Sequence, residues 1–331
     1  MELLCPAGNM ASLKSAVKSG ADAVYIGLKD DTNARHFAGL NFTAKKLKQA
    51  AEYTKAAGCK LYVAINTFPS PGEEARWHQA ISLAADARVD ALIMADIGLL
   101  HYAKTHYPEI ELHLSVQASA TSLAALSMYQ NDFNVTRAVL PRVLDIKQVM
   151  RLAKKSPIEL EVFAYGSLCI MSEGRCHLSS YVTGHSPNTG GACSPSQHVR
   201  WSEHDGVRDT HLNGVLLDRN EQDAASGYPV VCKGRYQCDD EISHTLESPT
   251  SLNTLSLLPE LYLSGVAAVK IEGRQRSPAY VEQVTRVWRE AIDQVKLSPE
   301  QFVETPRWNQ ILTKLSEGQI ATLGPYERSW Q

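Results

Sequence analysis

The sequence predicts a closed α/β barrel of eight parallel strands, each followed by a helix, with one long insertion between the seventh and the eighth strand. Short apolar segments alternate with amphipathic helical segments along most of the chain, which is the pattern of repeated βα units. A barrel of this type takes about 250 residues, so roughly 80 of the 331 are surplus. The surplus falls in one place, beyond Cys169. We therefore expect barrel units in 1–168, an insertion in 169–250, and the last unit with C-terminal helices in 251–331.

Eight strands are predicted, and a helix is predicted after each of them except the seventh, which the insertion follows. The predicted strands are Glu2–Cys5, Ala23–Gly27, Lys60–Asn66, Ala91–Ala95, Glu111–Val116, Arg137–Pro141, Ile158–Ala164 and Ala267–Glu272. The predicted helices are Asn9–Lys18, Thr43–Ala57, Gly72–Arg88, Gly98–Thr105, Ser122–Tyr129, Leu144–Lys155 and Pro278–Val295. Eight such units are typical of a TIM-like (β/α)8 barrel.

Composition and charge narrow the class of protein. The net charge of −3 comes from 33 basic and 36 acidic residues without a long run of either sign, so nucleic-acid binding is not supported, although it is not excluded. The sequence begins without a basic segment followed by an apolar one, and its apolar runs are shorter than the roughly 20 residues of a membrane span. We expect a cytoplasmic protein without an integral membrane segment. In a reducing compartment, seven cysteines favour metal binding or redox chemistry over disulfides.

Four cysteines in and around the insertion are the candidate metal ligands. Cys169, Cys176, Cys193 and Cys232 lie in Gly- and Pro-rich surroundings, separated by six, sixteen and thirty-eight residues. Structural zinc sites usually contain closely paired cysteines, so these spacings favour an iron-sulfur cluster. Cys238 is a rival fourth ligand. Ordinary buried thiols are the alternative interpretation.

Polar side chains gather where the predicted strands end. Asn66, Gln117 and Arg142 end or follow the third, fifth and sixth strands. Active sites of such barrels lie at the carboxyl ends of the strands. Arg142 is therefore a candidate for the barrel mouth.

The eighth strand carries three charges at alternate positions. Lys270, Glu272 and Arg274 lie on one face, toward either the barrel mouth or the helices. A salt-bridged rim is the plain interpretation. We favour a catalytic or binding role, because charges on a buried parallel strand are costly.

Several common catalytic motifs are absent from the sequence. It contains no C-x3-C-x2-C, no His-Glu-x-x-His, no G-x-S-x-G, no P-loop and no G-x-G-x-x-G. No hydrolase or nucleotide-binding enzyme is therefore indicated.

The cysteine region resembles the signature of the collagenase-like peptidase family. The matching residues are Glu161-x-Phe163-x-x-Gly166-Ser167-Leu168-Cys169-x4-Gly174-x-Cys176-x-Leu178-Ser179. The resemblance is closest to the branch that acts in ubiquinone biosynthesis, and it extends to residues 1–9, 25–41, 115–121 and 269–280. It covers essentially the whole chain.

The resemblance implies a cofactor, partners and a reaction. It implies a 4Fe-4S cluster on Cys169, Cys176, Cys193 and Cys232, with Cys238 outside the family pattern. It also implies a heterodimer with a UbiV-like subunit and delivery of substrate by a UbiT-like lipid carrier. The reaction would be hydroxylation of the aromatic ring of prenylated ubiquinone precursors without dioxygen, with prephenate as hydroxyl donor.

Three alternatives stay open beside this interpretation. One is an RNA base hydroxylase, as other members of the family are. Another is a peptidase, although an iron-bound thiolate is not a free nucleophile. The third is a zinc-stapled scaffold without catalysis. The ring position, the role of the cluster, the subunit that houses the chemistry and the stability of a monomer do not follow from the sequence.

Overall fold

The computed structural model describes residues 1–34, 36, 39–169, 171, 175–187, 192–221, 224 and 228–327. The strands, in chain order, are β1 Glu2–Pro6, β2 Ala23–Gly27, β3 Lys60–Ile65, β4 Ala91–Met94, β5 Glu111–Leu114, β6 Val135–Val139, β7 Glu159–Ser167, β8 Val199–His204, β9 Val207–Leu212, β10 Val215–Glu221, β11 Tyr236–Cys238, β12 Glu241–Ser243, β13 Ser251–Asn253, β14 Ala268–Ile271 and β15 Ala321–Thr322. The α-helices are α1 Met10–Lys18, α2 Ala44–Ala56, α3 Ala75–Asp86, α4 Ile97–His106, α5 Leu123–Phe133, α6 Ile146–Ala153, α7 His177–Thr183, α8 Leu258–Leu263, α9 Pro278–Leu297 and α10 Pro306–Leu315.

Eight parallel strands close into a barrel, as predicted. Strands β1 to β7 pair in chain order, and β14 pairs with both β7 and β1. The short helix α8 connects β13 to β14. The short strand β13 runs antiparallel to β7, and β15 pairs with β13 outside the barrel.

Local sequence signals account for many of the helix boundaries. The side chain of Asn9 accepts a hydrogen bond from the Ser12 backbone N–H and caps α1. Asp145 and Gln148 form a capping box at the start of α6. Ser277 caps α9, whose first residue is Pro278. These caps satisfy backbone groups that a helix leaves without partners at its first turn.

The barrel interior is partly apolar and partly ionic. Tyr25, Tyr62, Ile93 and smaller residues fill one part of it. The larger apolar core lies between the strands and the surrounding helices. Arg137, Glu161 and Lys270 are buried inside the same barrel. Charges in such a place need partners, and Glu161 lies within ion-pair distance of both Arg137 and Lys270.

Most predicted elements differ from the observed ones by one to four residues at an end, and β6 and β7 are examples among the strands. Strand β6 begins at Val135, two residues before the predicted start. Strand β7 continues past Ala164, its predicted end, to Ser167. The reason is long-range, because Gly166 pairs with Leu252 of β13. A Cβ at Gly166 would lie 2.7 Å from the Glu272 Cβ, so the close approach requires glycine.

The segment 169–250 forms small elements of its own. It contains α7, the three-stranded sheet β8–β10 and the two-stranded sheet β11–β12. Val199, Leu212 and Leu217 form a small separate core there. None of the described helices combines the length and the apolar character needed to cross a membrane.

Candidate active site

A cavity of about 910 Å³ lies at the carboxyl ends of the barrel strands. Barrel residues such as Asn66, Gln117 and Arg142 line it, together with residues of the insertion. The position agrees with the rule that barrel enzymes bind ligands at this end. A cavity of this volume is large enough for a drug-sized ligand.

All four predicted cysteine ligands line this cavity. Cys169 follows β7, Cys176 caps α7, and Cys232 lies in a short 3-10 turn of residues 231–233. The Cys176 sulfur accepts a hydrogen bond from the Ser179 backbone N–H at 3.4 Å. The Ser179 hydroxyl donates to the backbone carbonyl of Cys193. Helix α7 therefore connects the second and the third cysteine.

The four thiols are close enough to influence one another. Burial raises the pKa of Cys232 to about 12, and Cys169, Cys193 and Cys176 contribute in the same direction. Burial also raises the pKa of Cys176. A thiol with such a pKa is protonated at neutral pH and is a weak nucleophile, so binding a metal there releases protons.

The chemistry of the donor set suits a thiolate-bound metal centre. All four thiols line one cavity, and four thiolates are the usual ligands of a 4Fe-4S cluster and also a ligand set of zinc. In a cluster each cysteine binds a different iron atom, so the sulfurs lie further apart than around one zinc.

The remaining cysteines lie elsewhere. Cys238 is exposed, and its sulfur is 3.4 Å from the hydroxyl oxygen of Thr245. Cys5 and Cys59 are buried in the apolar core, and burial raises the pKa of each thiol to about 12. Cys232 lines the cavity with the other three candidate ligands whereas Cys238 is exposed, and this placement favours Cys232 as the fourth ligand.

The four charged residues predicted at the barrel mouth also line the cavity. Lys270 is 4% exposed, and its ammonium donates to Glu161 Oε1 at 2.8 Å. Arg274 donates to Asn33 Oδ1 at 2.9 Å. From the sequence, Lys270, Glu272 and Arg274 could face either the barrel mouth or the helices. In the structure they line the cavity at the barrel mouth. Their catalytic role stays a prediction.

Arg142 and Glu272 hold the same residue, Ser167, from two sides. Arg142 Nη1 donates to the Ser167 carbonyl at 2.6 Å, and its guanidinium lies 4.4 Å from the centre of the Phe163 ring. The Ser167 backbone N–H donates to Glu272 Oε2 at 3.3 Å. Ser167 precedes Cys169 by two residues. We call the part of the cavity lined by Arg142, Lys270, Glu272 and Arg274 the charged half. Two of its side chains are therefore hydrogen-bonded directly to the strand end that precedes the first cysteine.

The sequence did not indicate Lys233 and Glu317 as cavity residues. Lys233 Nζ lies 2.5 Å from Glu317 Oε2, and both side chains are largely buried. Lys233 follows Cys232, whereas Glu317 follows the C-terminal helix α10. No local signal could have paired residues so far apart in the chain.

Gln117 lies beside Arg175, the residue before Cys176. Arg175, which precedes Cys176, donates to the Gln117 carbonyl at 3.4 Å, and its guanidinium lies 4.3 Å from the Phe68 ring centre. Gln117 is 3% exposed, and its side-chain oxygen has no hydrogen-bond partner among the described residues. A buried acceptor without a donor costs free energy, so this oxygen is ready to accept from a ligand.

The fold and the site define an α/β-barrel protein with a thiol-lined cavity at the barrel mouth. Residues 8–324 match the model of peptidase family U32, and the chain belongs to this family. A U32 peptidase, Mk0906, has a similar solved structure, with a TM-score of 0.50, 11% identity, and coverage of 84% of this chain and 94% of that one. That likeness shows the fold alone.

Curated relatives carry several different names. The "tRNA hydroxylation protein P1" of Bacillus subtilis is 32% identical over 97% of this chain and 70% of its own length. The "tRNA hydroxylation protein P" of Escherichia coli is 30% identical over 88% of this chain and 68% of its own length. The "Collagenase" of Porphyromonas gingivalis is 31% identical over 88% and 65%. The chain thus spans about two thirds of the length of these relatives.

Proposed function

We propose that this chain is the iron-sulfur subunit of a hydroxylase that works without dioxygen, in the role of UbiU. Its substrate would be the aromatic ring of prenylated ubiquinone precursors. The observation that carries the proposal is that four thiols and several buried cationic side chains line one cavity at the barrel mouth. The names of the tRNA hydroxylation relatives support a hydroxylase in general.

Cys169, Cys176, Cys193 and Cys232 would hold a 4Fe-4S cluster. When bound, such a cluster supplies electron transfer, which ordinary side chains perform poorly. The chain's own contribution is to place the four thiols on one wall and to bury them partly. A hydrophobic surrounding controls how much water reaches such a centre.

The other half of the cavity suits an anionic ligand. Among the described residues, the basic side chains that line it outnumber the acidic ones, Glu272 and Glu317. Arg142, Lys270 and Arg274 would bind the carboxylates of a dianion such as prephenate, the proposed hydroxyl donor. Glu272 would keep the backbone of the cysteine strand in place.

A ring substrate would lie nearer the cysteines. Val116, Leu168 and Val230 give that part of the cavity apolar walls, and the Gln117 side-chain oxygen would accept a hydrogen bond from a ring hydroxyl. A prenylated substrate needs a carrier, which fits delivery by a UbiT-like protein. A UbiV-like subunit would complete the heterodimer.

The proposal is tested with protein purified without oxygen together with its UbiV-like partner. About four irons and four sulfides per chain, and hydroxylation of a prenylated phenol that depends on prephenate, are expected. The oxygen atom of the new hydroxyl should come from the donor, and because ring hydroxylation is a two-electron oxidation, turnover should also need an added electron acceptor such as an oxidised dye. One zinc without sulfide, or hydroxylation that needs dioxygen, would contradict the proposal.

RNA base hydroxylation is the second candidate. The names of the relatives from Bacillus subtilis and Escherichia coli favour it. Mass spectrometry of tRNA and rRNA from cells that lack the protein separates the two proposals. Loss of a hydroxylated nucleoside with normal ubiquinone would favour RNA, whereas the reverse would favour the quinone ring.

A peptidase fits the site less well, although one relative is named "Collagenase". A cysteine nucleophile needs a lowered pKa or an adjacent base. Burial raises the pKa of Cys176 and of Cys232 instead. The hydrogen bond that Cys176 accepts comes from a backbone N–H and not from a histidine.

A further inference from the structure

Glu161 opens the motif that contains the first two cysteines, yet it lies away from them. It is on β7, its side chain is 0% exposed, and it points into the barrel interior beneath the cavity. One carboxylate oxygen accepts from the Lys270 ammonium at 2.8 Å. The other lies 3.6 Å from Arg137 Nη1. A fully buried carboxylate between two cations is an expensive arrangement that needs an explanation.

The cations on the two sides of Glu161 differ in what else they contact. Arg137 Nη1 lies 2.6 Å from Glu2 Oε1, and its Nη2 lies 2.7 Å from Glu159 Oε2. Arg137 therefore has two further carboxylates at the closed end of the barrel. The hydrogen bond of Lys270 in the described part of the chain goes to Glu161. Its ammonium also lies 4.3 Å from the centre of the Tyr25 ring, in the cavity wall.

We propose that Glu161 is a positioning residue, whose carboxylate keeps the Lys270 ammonium charged and directed at the cavity, where it binds a carboxylate of the substrate. The inference rests on the proposed function as far as the ligand is concerned. Glu161 itself is out of reach of the cavity, so it acts through Lys270. The role explains why a glutamate precedes the cysteines by a whole strand.

The surroundings of Lys270 make this counter-ion necessary. Burial lowers the pKa of Lys270, and Arg274 and Arg137 add to that effect, while Glu161 opposes it. The faces of the aromatic rings of Tyr25 and Phe163 attract the ammonium and so act in the same direction as Glu161. Burial opposes the ionisation of Glu161. Lys270 and Arg137, with a smaller contribution from His113, nevertheless hold the pKa of Glu161 below its ordinary value. Without Glu161, the groups that remain around Lys270 would lower the pKa of its ammonium further.

The first test needs no ligand and uses the native protein. Native capillary electrophoresis at pH 8 compares the net charge of wild type with that of Glu161→Gln and of Glu159→Gln. Glu159 is a matched control, because it contacts Arg137 but its side chain is 57% exposed. Glu159→Gln should raise the net charge by one unit, since an arginine stays protonated.

Glu161→Gln should leave the net charge of wild type unchanged, because Lys270 gives up its proton together with the lost carboxylate. A mobility shift equal to that of Glu159→Gln would overturn the proposal. If Glu161→Gln does not fold, the double variant Glu161→Gln/Lys270→Met should restore folding, since it removes both charges. A double variant that also fails to fold would show a purely structural role.

The second test uses prephenate as the probe. Calorimetric titration from pH 6.5 to 9 should give a nearly constant affinity for wild type. For Glu161→Gln the affinity should fall about tenfold or more as pH rises, because one charge-assisted hydrogen bond is lost. Adding Lys270→Arg to Glu161→Gln should remove the pH dependence, since arginine keeps its charge.

An equal loss of prephenate affinity at every pH would contradict a positioning role. If wild type does not bind prephenate, the proposed donor is wrong, while the charge measurement still decides the role of Glu161.

Discussion

The two halves of the cavity are built in different ways. The barrel half takes its side chains from strand ends, and its charges already contact one another, as Lys270 and Glu161 do at 2.8 Å. The cysteine half takes its thiols from a strand end, a helix cap and turns of the insertion, and burial raises the pKa of two of them, Cys176 and Cys232. The comparison teaches that the fold itself preorganises the charged half, whereas the thiol half would be completed by the metal centre proposed for it.

Loss of one cysteine should have the largest effect, because each of the four proposed ligands would bind one iron of the cluster. Cys232→Ala should abolish the 4Fe-4S cluster, and Cys238→Ala should leave iron and sulfide unchanged, since Cys238 is exposed and outside the cavity. Iron and acid-labile sulfide analysis of the two anaerobically purified variants is the measurement. Equal loss in both, or in neither, would contradict the assigned ligand set.

The charged half should lose stability when the backbone beside it is changed, and binding of a ligand should not restore that stability. Gly166→Ala should lower the free energy of unfolding by about 3 kcal/mol, because the φ of 124° suits glycine and the added Cβ meets Glu272. Gly206→Ala is the control, with a φ of 76° and no atom within 4 Å of the added Cβ, and it should cost only about 1 kcal/mol. Urea unfolding compares the two. Similar losses would mean that contact with Glu272 is unimportant.

A change of a basic side chain in the charged half should reduce activity, while the proposed cluster stays intact. Arg142→Ala should lower kcat/KM for anaerobic hydroxylation by about 30-fold, equivalent to about 2 kcal/mol of transition-state binding. Arg142→Lys should recover part of the loss. Unchanged hydroxylation by Arg142→Ala would remove Arg142 from the site, and loss of iron would show that the two halves are not separable.

The smallest effect is expected far from both halves. Arg286 and Glu282 form an exposed i,i+4 ion pair on α9 with a distance of 2.8 Å. Glu282→Gln should change the free energy of unfolding by less than about 0.5 kcal/mol. Thermal unfolding at low and high salt checks this value. A larger effect would indicate that α9 takes part in a further contact.

Much of the barrel was predictable because its signals are local. The strand Ala23–Gly27 was predicted with its observed boundaries, and the helix caps at Asn9 and Thr43 are local hydrogen bonds. The alternation of Lys270, Glu272 and Arg274 correctly indicated a shared face, which proved to be the cavity. Such features depend on residues only a few positions apart.

The parts that sequence reasoning missed depend on distant partners. The extension of β7 requires Leu252, and the cavity position of Glu317 requires Lys233. The three-stranded sheet β8–β10 was not predicted either, although its turns contain Asp205-Gly206 and Asn213-Gly214. Those dipeptides are a strong hairpin signal that could have revealed it.

The bonds to Ser167 join the chemistry of the two halves. Arg142 holds its carbonyl and Glu272 its N–H, and Cys169 follows two residues later. An anion that drew Arg142 toward itself would weaken the bond to that carbonyl and so change the free energy of the strand end beside the first thiol. Such a coupling would be reciprocal, so a change in binding at the thiols would alter the affinity for the anion by the same factor. One peptide unit would thereby link binding in the two halves of the cavity.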